Sequence, residues 1–157
     1  MGEPTADMYQ ILGEIVPYMP AGKPRYLMGV GKPEDLLAGV AAGIDLFDCV
    51  LPTLNARNGW PYTDGGIVKL KNAVHRSDTN TVEAQCPCPT FRHYSRSYLR
   101  HLYTTGEMLG PRLGTIHNLH FFQRLMASVR KEIKSKGFTA FHLDFLAQFQ
   151  SGNPPVA

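Results

Sequence analysis

The sequence predicts an α/β fold, and three observations carry that expectation. A short apolar run at Tyr26-Leu27-Met28 is followed by a glycine turn, a helical pattern and a second apolar run ending at Val50. Residues 72–93 keep no sustained period and hold two of the three cysteines, Cys86 and Cys88. Helical periodicity then returns from Tyr94 almost to the end. A strand, a helix of about ten residues and another strand in so short a segment imply a parallel, right-handed crossover, because antiparallel neighbours need no such connection.

The elements follow in order. Thr5 is placed to cap a first helix whose apolar residues Met8, Ile11, Leu12 and Ile15 recur at helical spacing, and Pro17 marks its end. Tyr26–Met28 reads as a buried strand. Gly29-Val30-Gly31-Lys32 forms a tight turn, and Pro33 at a first helical position with Glu34 and Asp35 behind it opens a helix that runs to Gly43. Ile44–Val50 reads as the second strand. Leu51–Trp60, rich in Asn and Arg, reads as a polar loop, and Asp64-Gly65-Gly66 before Ile67-Val68-Lys69-Leu70 as a hairpin turn. Residues 72–93 read as irregular and held by something other than a large core. Tyr94–Thr104 is a helix. Leu113–Lys136 is a longer one with Ile116, Leu119, Leu125, Val129 and Ile133 on its buried side, Phe138–Phe149 is the last, and Ser151–Ala157 is a proline-rich tail.

Composition narrows the class. With 157 residues, 43% of them apolar, the chain can build one core. At this length about 68–70% of the unfolded surface can be buried, so no disulfide framework is required. The longest apolar stretch, Leu36–Ile44, is about half the ~20 residues a membrane helix needs, so no membrane partner is expected. The opening Met-Gly-Glu-Pro-Thr-Ala-Asp has neither the basic nor the apolar region of a secretory signal, which points to the cytoplasm. Three cysteines, an odd number with two close together, suggest reduced thiols or ligands. The net charge of +3 conceals an asymmetry: residues 1–85 carry 7 basic and 10 acidic side chains, residues 86–157 carry 9 and 3. The second half suits either a phosphate-bearing partner or a solvated basic helical surface.

Three features can carry chemistry. Asp48 lies at the C-terminal end of the second strand, the edge where parallel α/β sheets place ligands and catalytic groups. Alternation puts it with Leu46 on the face opposite Phe47; an Asp capping the next turn is the plain alternative. The Gly29–Lys32 turn before a helix N-terminus suits an anion, though two glycines and a lysine equally make an ordinary turn. Cys86-Pro87-Cys88 places two thiols where a zinc-like metal binds, and His117 at the start of the long helix can add a nitrogen. That makes three donors where a closed site has four, with His93 and His120 near enough in sequence to substitute. Free cysteines and a helix-surface histidine are the alternative. His75, His101 and His142 lack local partners.

Several of these stretches together carry a resemblance. Pro24-Arg25-Tyr26-Leu27-Met28-Gly29-Val30-Gly31, Gly43-Ile44-Asp45-Leu46-Phe47-Asp48-Cys49-Val50-Leu51-Pro52-Thr53 and Asn55-Ala56-Arg57-Asn58-Gly59 closely resemble the C-terminal portion of bacterial-type tRNA-guanine transglycosylases. Tyr94-Ser95-Arg96-Ser97-Tyr98-Leu99-Arg100-His101-Leu102 and Thr115-Ile116-His117-Asn118-Leu119-His120-Phe121 extend the match over nearly the whole chain.

The resemblance implies two domains, the last units of a (βα)8 TIM barrel with the catalytic and anticodon-reading loops over 1–71, and an inserted zinc-type subdomain with C-terminal helices over 72–157. Its activity would exchange the wobble guanine of GUN-anticodon tRNAs for 7-aminomethyl-7-deazaguanine in queuosine biosynthesis. Asp48 falls on the family's nucleophile. The RNA-contacting segments fall on Gly29, Val30, Gly31, Lys32, Pro33, Glu34 and Asp35 and on Thr53, Leu54, Asn55, Ala56 and Arg57. Zinc would be held by Cys86, Cys88 and His117. The implied partners are the tRNA, the deazaguanine base and a second copy or an intact paralogue.

Three departures are visible. A complete barrel of this kind needs about 250 residues, and the match starts at Gly2-Glu3-Pro4, so the base-binding residues and the proton-handling partner of Asp48 are expected to be absent from these 157 residues, and little turnover is expected of them alone. Phe91 occupies the third cysteine position of the family's Cys-x-Cys-x-x-Cys motif, and Leu54 replaces an arginine. The alternatives that follow are a non-catalytic tRNA-binding or subunit-interaction module, or an inactive remnant.

Overall fold

A computed structural model describes residues 5–84 and 86–151. The expectations for Gly2–Pro4 and for the tail from Gly152 on lie outside the described residues. The chain divides into two compact units, Met1–Leu51 and Pro52–Ala157.

In the first unit, α1 (Thr5–Ile15) runs into a 3-10 turn at Val16–Tyr18. Strand β1 (Tyr26–Leu27) pairs in parallel with β2 (Leu46–Phe47), with Tyr26 opposite Leu46 and Leu27 opposite Phe47. Helix α2 (Pro33–Ala42) makes the crossover. It ends where Gly43 takes φ 98°, with the Gly43 and Ile44 N–H groups donating to the Val40 and Gly39 carbonyls. Only glycine enters that left-handed region cheaply, so the α2 terminus is written in the sequence. Leu12, Val16 and Ile44 form the core of this unit, with Leu27 and Phe47 packed against them.

The crossover is as expected, but the strands are shorter and less buried. Tyr26 is 47% exposed, Met28 73% and Leu46 52%. The apolar alternation was masked because Tyr26, Met28 and Leu46 are large and apolar although they stand on the uncovered face of the pair.

The second unit opens with a correction: Leu51–Asn58 is a helix, α3, and not a loop. Its buried positions are Pro52, Asn55 and Ala56, so its inner face carries no apolar stripe for a periodicity argument to find. Gly59 (φ 77°) closes it, with Trp60 N–H donating to the Asn55 carbonyl. The hairpin is as expected, β3 (Tyr62–Thr63) against β4 (Gly66–Ile67), antiparallel around Asp64-Gly65.

Residues 72–93 hold a 3-10 turn at Ala73–His75 and α4 (Pro89–His93), and little else that is regular. Polar contacts pin this segment. Arg96 reaches Asp78 at 3.2 Å and the Val82 carbonyl at 2.9 Å, and Arg100 donates to the Asn72 carbonyl. His75, expected to lack a partner, stands 3.6 Å from the Asp78 carboxylate. Val82, Cys86 and Cys88 nevertheless belong to a core cluster with Leu70, Leu99, Leu102, Tyr103 and Leu113.

Helix α5 (Arg96–Thr105) is capped by the Ser95 side chain, which accepts from Tyr98 N–H. Helix α6 (Leu109–Lys134) starts a turn earlier than expected, taking Pro111 into its first turn where no intrahelical donor is needed. Its buried side also differs. Leu125 and Val129 are buried, but Ile116, Leu119 and Ile133 are 41%, 46% and 50% exposed. Leu113, His117, Asn118, Phe121 and Phe122 face inward instead. Two polar residues and two glycines, Gly110 and Gly114, sit on that stripe, which shifts the visible apolar pattern off the true one. Helix α7 (Phe138–Ser151) completes the unit.

Candidate functional site

Two clusters bring chemistry-bearing side chains together, one in each unit. The first is built around Asp48, just past β2. Parallel pairing sets the start of β1 beside β2, and Tyr26 uses that proximity: its hydroxyl donates to Asp48 Oδ1 at 2.6 Å. The chain leaves β1 through Gly29, whose φ of 74° turns its N–H onto the same oxygen at 2.9 Å. Asp48 is exposed, and among the described residues no arginine forms an ion pair with it. The Tyr26 hydrogen bond, seconded by the Gly29 N–H, holds its carboxyl below the usual carboxylate range. The same hydrogen bond pushes the Tyr26 phenol up. Asp48 is thus an ionised, solvent-facing carboxylate with one oxygen doubly held.

The neighbouring glycine has a different task. A Cβ at Gly31 would overlap the Cys49 side chain, so this turn can approach the strand only without one. Gly29 supplies a positive φ and Gly31 a close approach; the turn is therefore explained without an anion.

The second cluster is Cys86, Cys88 and His117, all buried, with donor atoms within 4.8 Å of one another. His117 Nδ1 lies 3.2 Å from Cys88 Sγ and 3.7 Å from Cys86 Sγ. A tetrahedral ion with bonds of about 2.3 Å to sulfur and 2.0–2.1 Å to nitrogen sets its S and N donors about 3.6 Å apart, so the spacing fits a zinc-like ion. The ring is oriented for that role, since His117 Nε2–H donates to the Tyr62 carbonyl and leaves the Nδ1 lone pair toward the sulfurs. Burial brings His117 down to about 4, keeping it neutral, and pushes the Cys86 thiol up to about 12. A buried neutral imidazole beside two buried thiols suits a soft or borderline cation. Tyr62 is itself fixed, its N–H donating to Asn118 Oδ1 at 3.0 Å and its hydroxyl accepting from Asn55 at 2.7 Å. The Asn118 amide also donates to the Pro52 and Trp60 carbonyls.

The family described as queuine tRNA-ribosyltransferase matches residues 1–151. The chain belongs to the queuine tRNA-ribosyltransferase family. Similar relatives carrying that name occur in Nitrosomonas europaea (57% identical over 148 residues), Ralstonia nicotianae (55% over 152) and Pasteurella multocida (53% over 156). These alignments take in 94%, 97% and 99% of this chain and 40% of each relative. The family is one of glycosyltransferases that act on tRNA, and the chain spans about two fifths of the length of the curated members it matches.

For this member of the queuine tRNA-ribosyltransferase family, the structure places each residue singled out in the sequence. Cys86, Cys88 and His117 come together; His93, exposed on α4, and His120, one turn along α6, are not in the cluster. Of the first RNA-contact segment, Gly29 and Lys32 are exposed, Val30 and Glu34 half-buried, and Gly31 and Pro33 buried. Asp35 is buried too, and accepts from the Tyr9 hydroxyl at 2.7 Å. Of the second, Leu54 and Arg57 are exposed on α3, Thr53 is half-buried, and Asn55 and Ala56 are buried. Tyr26, Tyr62 and Asn118 were not singled out. Only strand register could have found Tyr26, and the other two act largely through backbone groups that sequence does not display. Among the described residues no helix is long and apolar enough to cross a membrane.

Proposed function

We propose that this chain supplies the nucleophile and part of the anticodon contact of a tRNA-guanine transglycosylase. The reaction is exchange of the wobble guanine in GUN-anticodon tRNAs for 7-aminomethyl-7-deazaguanine in queuosine biosynthesis. The observation that carries the reading is Asp48: ionised, exposed, and held at one oxygen by Tyr26 and Gly29. A carboxylate oxygen attacks C1′ of the ribose as the C1′–N9 bond of guanine breaks, and the departing base takes up a proton. N9 of the incoming deazaguanine then loses a proton and displaces the carboxylate from C1′. Two displacements at one carbon retain configuration, and an anionic carboxylate suits an oxocarbenium-like centre. With Oδ1 carrying both donors, Oδ2 is the oxygen that bonds to carbon, and Tyr26 and Gly29 stabilise the carboxylate again when the ester breaks.

Lys32 and Arg57 are the exposed cations of the two contact segments and would pair with tRNA phosphates. Leu54, placed where the family has an arginine, forgoes a charge-assisted hydrogen bond of about 1.5–3 kcal/mol. The metal is zinc, held by Cys86, Cys88 and His117, and its contribution is to stabilise the fold of the second unit. The remaining barrel strands and the base pocket come from polypeptide outside these 157 residues, in a longer chain or an intact paralogue, and the assembly acts as a dimer in the cytoplasm.

A chimera tests this. The chain replaces the matching 148 residues of the Nitrosomonas europaea relative, and labelled guanine and a GUN-anticodon tRNA are supplied. Incorporation, with a covalent tRNA adduct lost in Asp48→Asn, is expected. An inert chimera, or one whose Asp48→Asn variant still forms the adduct, overturns the reading. The isolated chain should incorporate little.

A further inference from the structure

The β3–β4 hairpin continues past its two short strands in the same register. The Val68 and Leu70 N–H groups donate to the Pro61 and Gly59 carbonyls, each at 3.0 Å, which sets Lys69 directly opposite Trp60. The Lys69 ammonium stands 5.8 Å from the indole centroid. The indole is 38% exposed, and its backbone is held on both sides. The Trp60 N–H donates to the Asn55 carbonyl at 2.8 Å, and the Trp60 carbonyl accepts from the Asn118 amide at 3.3 Å. Lys71 is exposed in the turn that the Asn72 N–H closes on the Lys69 carbonyl, and Arg57 is exposed in the last turn of α3, three residues before Trp60. Between Asp48 and Glu83 the carboxylates are Asp64 and Asp78, and both are paired, with Arg124 at 2.6 Å and Arg96 at 3.2 Å. The exposed charge left on this ribbon is positive.

We propose that Trp60, Lys69 and Lys71 form a further RNA contact, in which an unpaired base of the tRNA anticodon arm stacks on the indole and the two lysines hold the phosphates beside it. Cations that track the backbone, with an aromatic platform for a base, are the means by which proteins hold single strands. The occupant is RNA rather than polypeptide, because lysine is depleted at buried protein interfaces while phosphates call for it. The backbone bonds on either side of Trp60 hold the platform in place before the base arrives, which lowers the ordering cost of binding. The proposal rests on the reading that this chain acts on tRNA, and the experiment separates the two.

Trp60 is the chain's single tryptophan, so its emission reports on this surface alone. The purified chain is titrated with a GUN-anticodon stem–loop RNA and, separately, with inorganic polyphosphate, and the anisotropy of labelled RNA gives affinities at stepped salt. The RNA should quench Trp60 saturably and polyphosphate should not. Trp60→Ala should weaken RNA binding by about 5- to 150-fold, whereas Trp60→Phe, which keeps an aromatic face, should retain most of the affinity. Lys69→Gln combined with Lys71→Gln should lower the slope of log affinity against log salt by about 1.4, at about 0.7 per phosphate contact on a single strand. Lys131→Gln, at an exposed lysine in the last turn of α6, should leave the slope unchanged. The contact is overturned if no RNA binds, if RNA binds without altering Trp60 emission, if polyphosphate quenches equally, or if Lys131→Gln lowers the slope as much as a ribbon lysine does. In the chimera described above, Trp60→Ala and the double lysine variant should raise KM for tRNA and leave kcat unchanged. An active chimera whose KM ignores these substitutions overturns the contact and leaves the nucleophile reading standing, as does one that the lysine substitutions destabilise more than they destabilise the isolated chain, since polypeptide then covers the ribbon. An inert chimera beside an isolated chain that binds RNA through Trp60 does the reverse.

Discussion

The Tyr26 hydroxyl donates to Asp48 Oδ1 at 2.6 Å across a parallel pair only two residues long on each strand. The contact depends on register. Tyr26 stands opposite Leu46, and Asp48 follows two residues later on the same face, so a slip by one residue would turn Tyr26 toward the core. Leu27 and Phe47 resist that slip because both pack on the Leu12–Val16–Ile44 cluster. Packing on one face thereby fixes a polar contact on the other.

Replacing Tyr26 with Phe should move the Asp48 titration upward. The Tyr26 hydroxyl is the largest cause of the depressed value, and the Gly29 N–H remains, so the midpoint rises without reaching the ordinary carboxylate value. The sign for stability follows. A carboxyl depressed in the folded state contributes stability above its unfolded pKa and loses it as pH falls through the folded one. In Tyr26→Phe the acid-induced loss should therefore still begin near the unfolded pKa but be smaller and complete at higher pH, because the folded carboxyl titrates closer to the unfolded one. Carbon-13 NMR of the side-chain carboxyls against pH checks it, and an unmoved Asp48 midpoint would contradict the hydrogen bond.

Gly31→Ala should destabilise the first unit by about 1–3 kcal/mol, the usual cost of forcing an extra carbon into a packed site. The new Cβ meets both the Sγ and the Cβ of Cys49. Cys49→Ala removes only the sulfur, so it should relieve part of the loss in the double variant, and Cys49→Gly more. Urea unfolding of wild type, the three single variants and the two double variants measures the coupling, and additive effects would mean that the two residues do not touch.

How much of this was legible before the structure depends on where the signal lies. The parallel crossover was readable because Pro33 and Gly43 bracket α2 and each has a local backbone reason to be where it is. Asp48 was readable as a carboxylate at a strand end, and Cys86, Cys88 and His117 as donors with metal-like spacing. Helix α3 was not, because its buried face is Pro52, Asn55 and Ala56, and a buried asparagine satisfied by Tyr62 looks like a loop residue in sequence. The inward face of α6 was missed for the same reason. His117 and Asn118 are buried through hydrogen bonds to backbone carbonyls some 55–66 residues away, which no local period encodes.

Asn118→Ala should remove several buried hydrogen bonds of the second unit at once. It removes the side-chain acceptor of the Tyr62 N–H and the side-chain donor to the Pro52 carbonyl, and at about 1–3 kcal/mol for each buried group that loses a partner the loss is roughly 3 kcal/mol. At about 2–4 °C per kcal/mol for a chain of this size, the melting temperature should fall by about 10 °C. Because Tyr62 also holds His117, metal affinity should drop by about 10–100-fold, the usual effect of losing an outer partner of a ligand. Calorimetry and Co2+ titration of the same variant check both. A melting change without an affinity change would detach Asn118 from the metal cluster.

Phe91→Cys should strengthen metal binding. The family pattern puts a third cysteine at this position, on α4 three residues after Cys88, and phenylalanine offers no donor atom there. A restored thiolate would give the ion four protein ligands, the number a structural zinc site has. Losing a mere outer partner costs about 10–100-fold, so gaining a direct donor should raise affinity by more than about 100-fold. Because metal binding and folding are coupled, the variant's melting temperature should respond to a chelator more than wild type does. Competition with a chromophoric chelator measures the affinity, and the sulfur-to-cobalt charge-transfer absorption of the Co2+ form should be stronger in Phe91→Cys than in wild type. An unchanged affinity together with an unchanged charge-transfer intensity would show that α4 does not present this position to the ion.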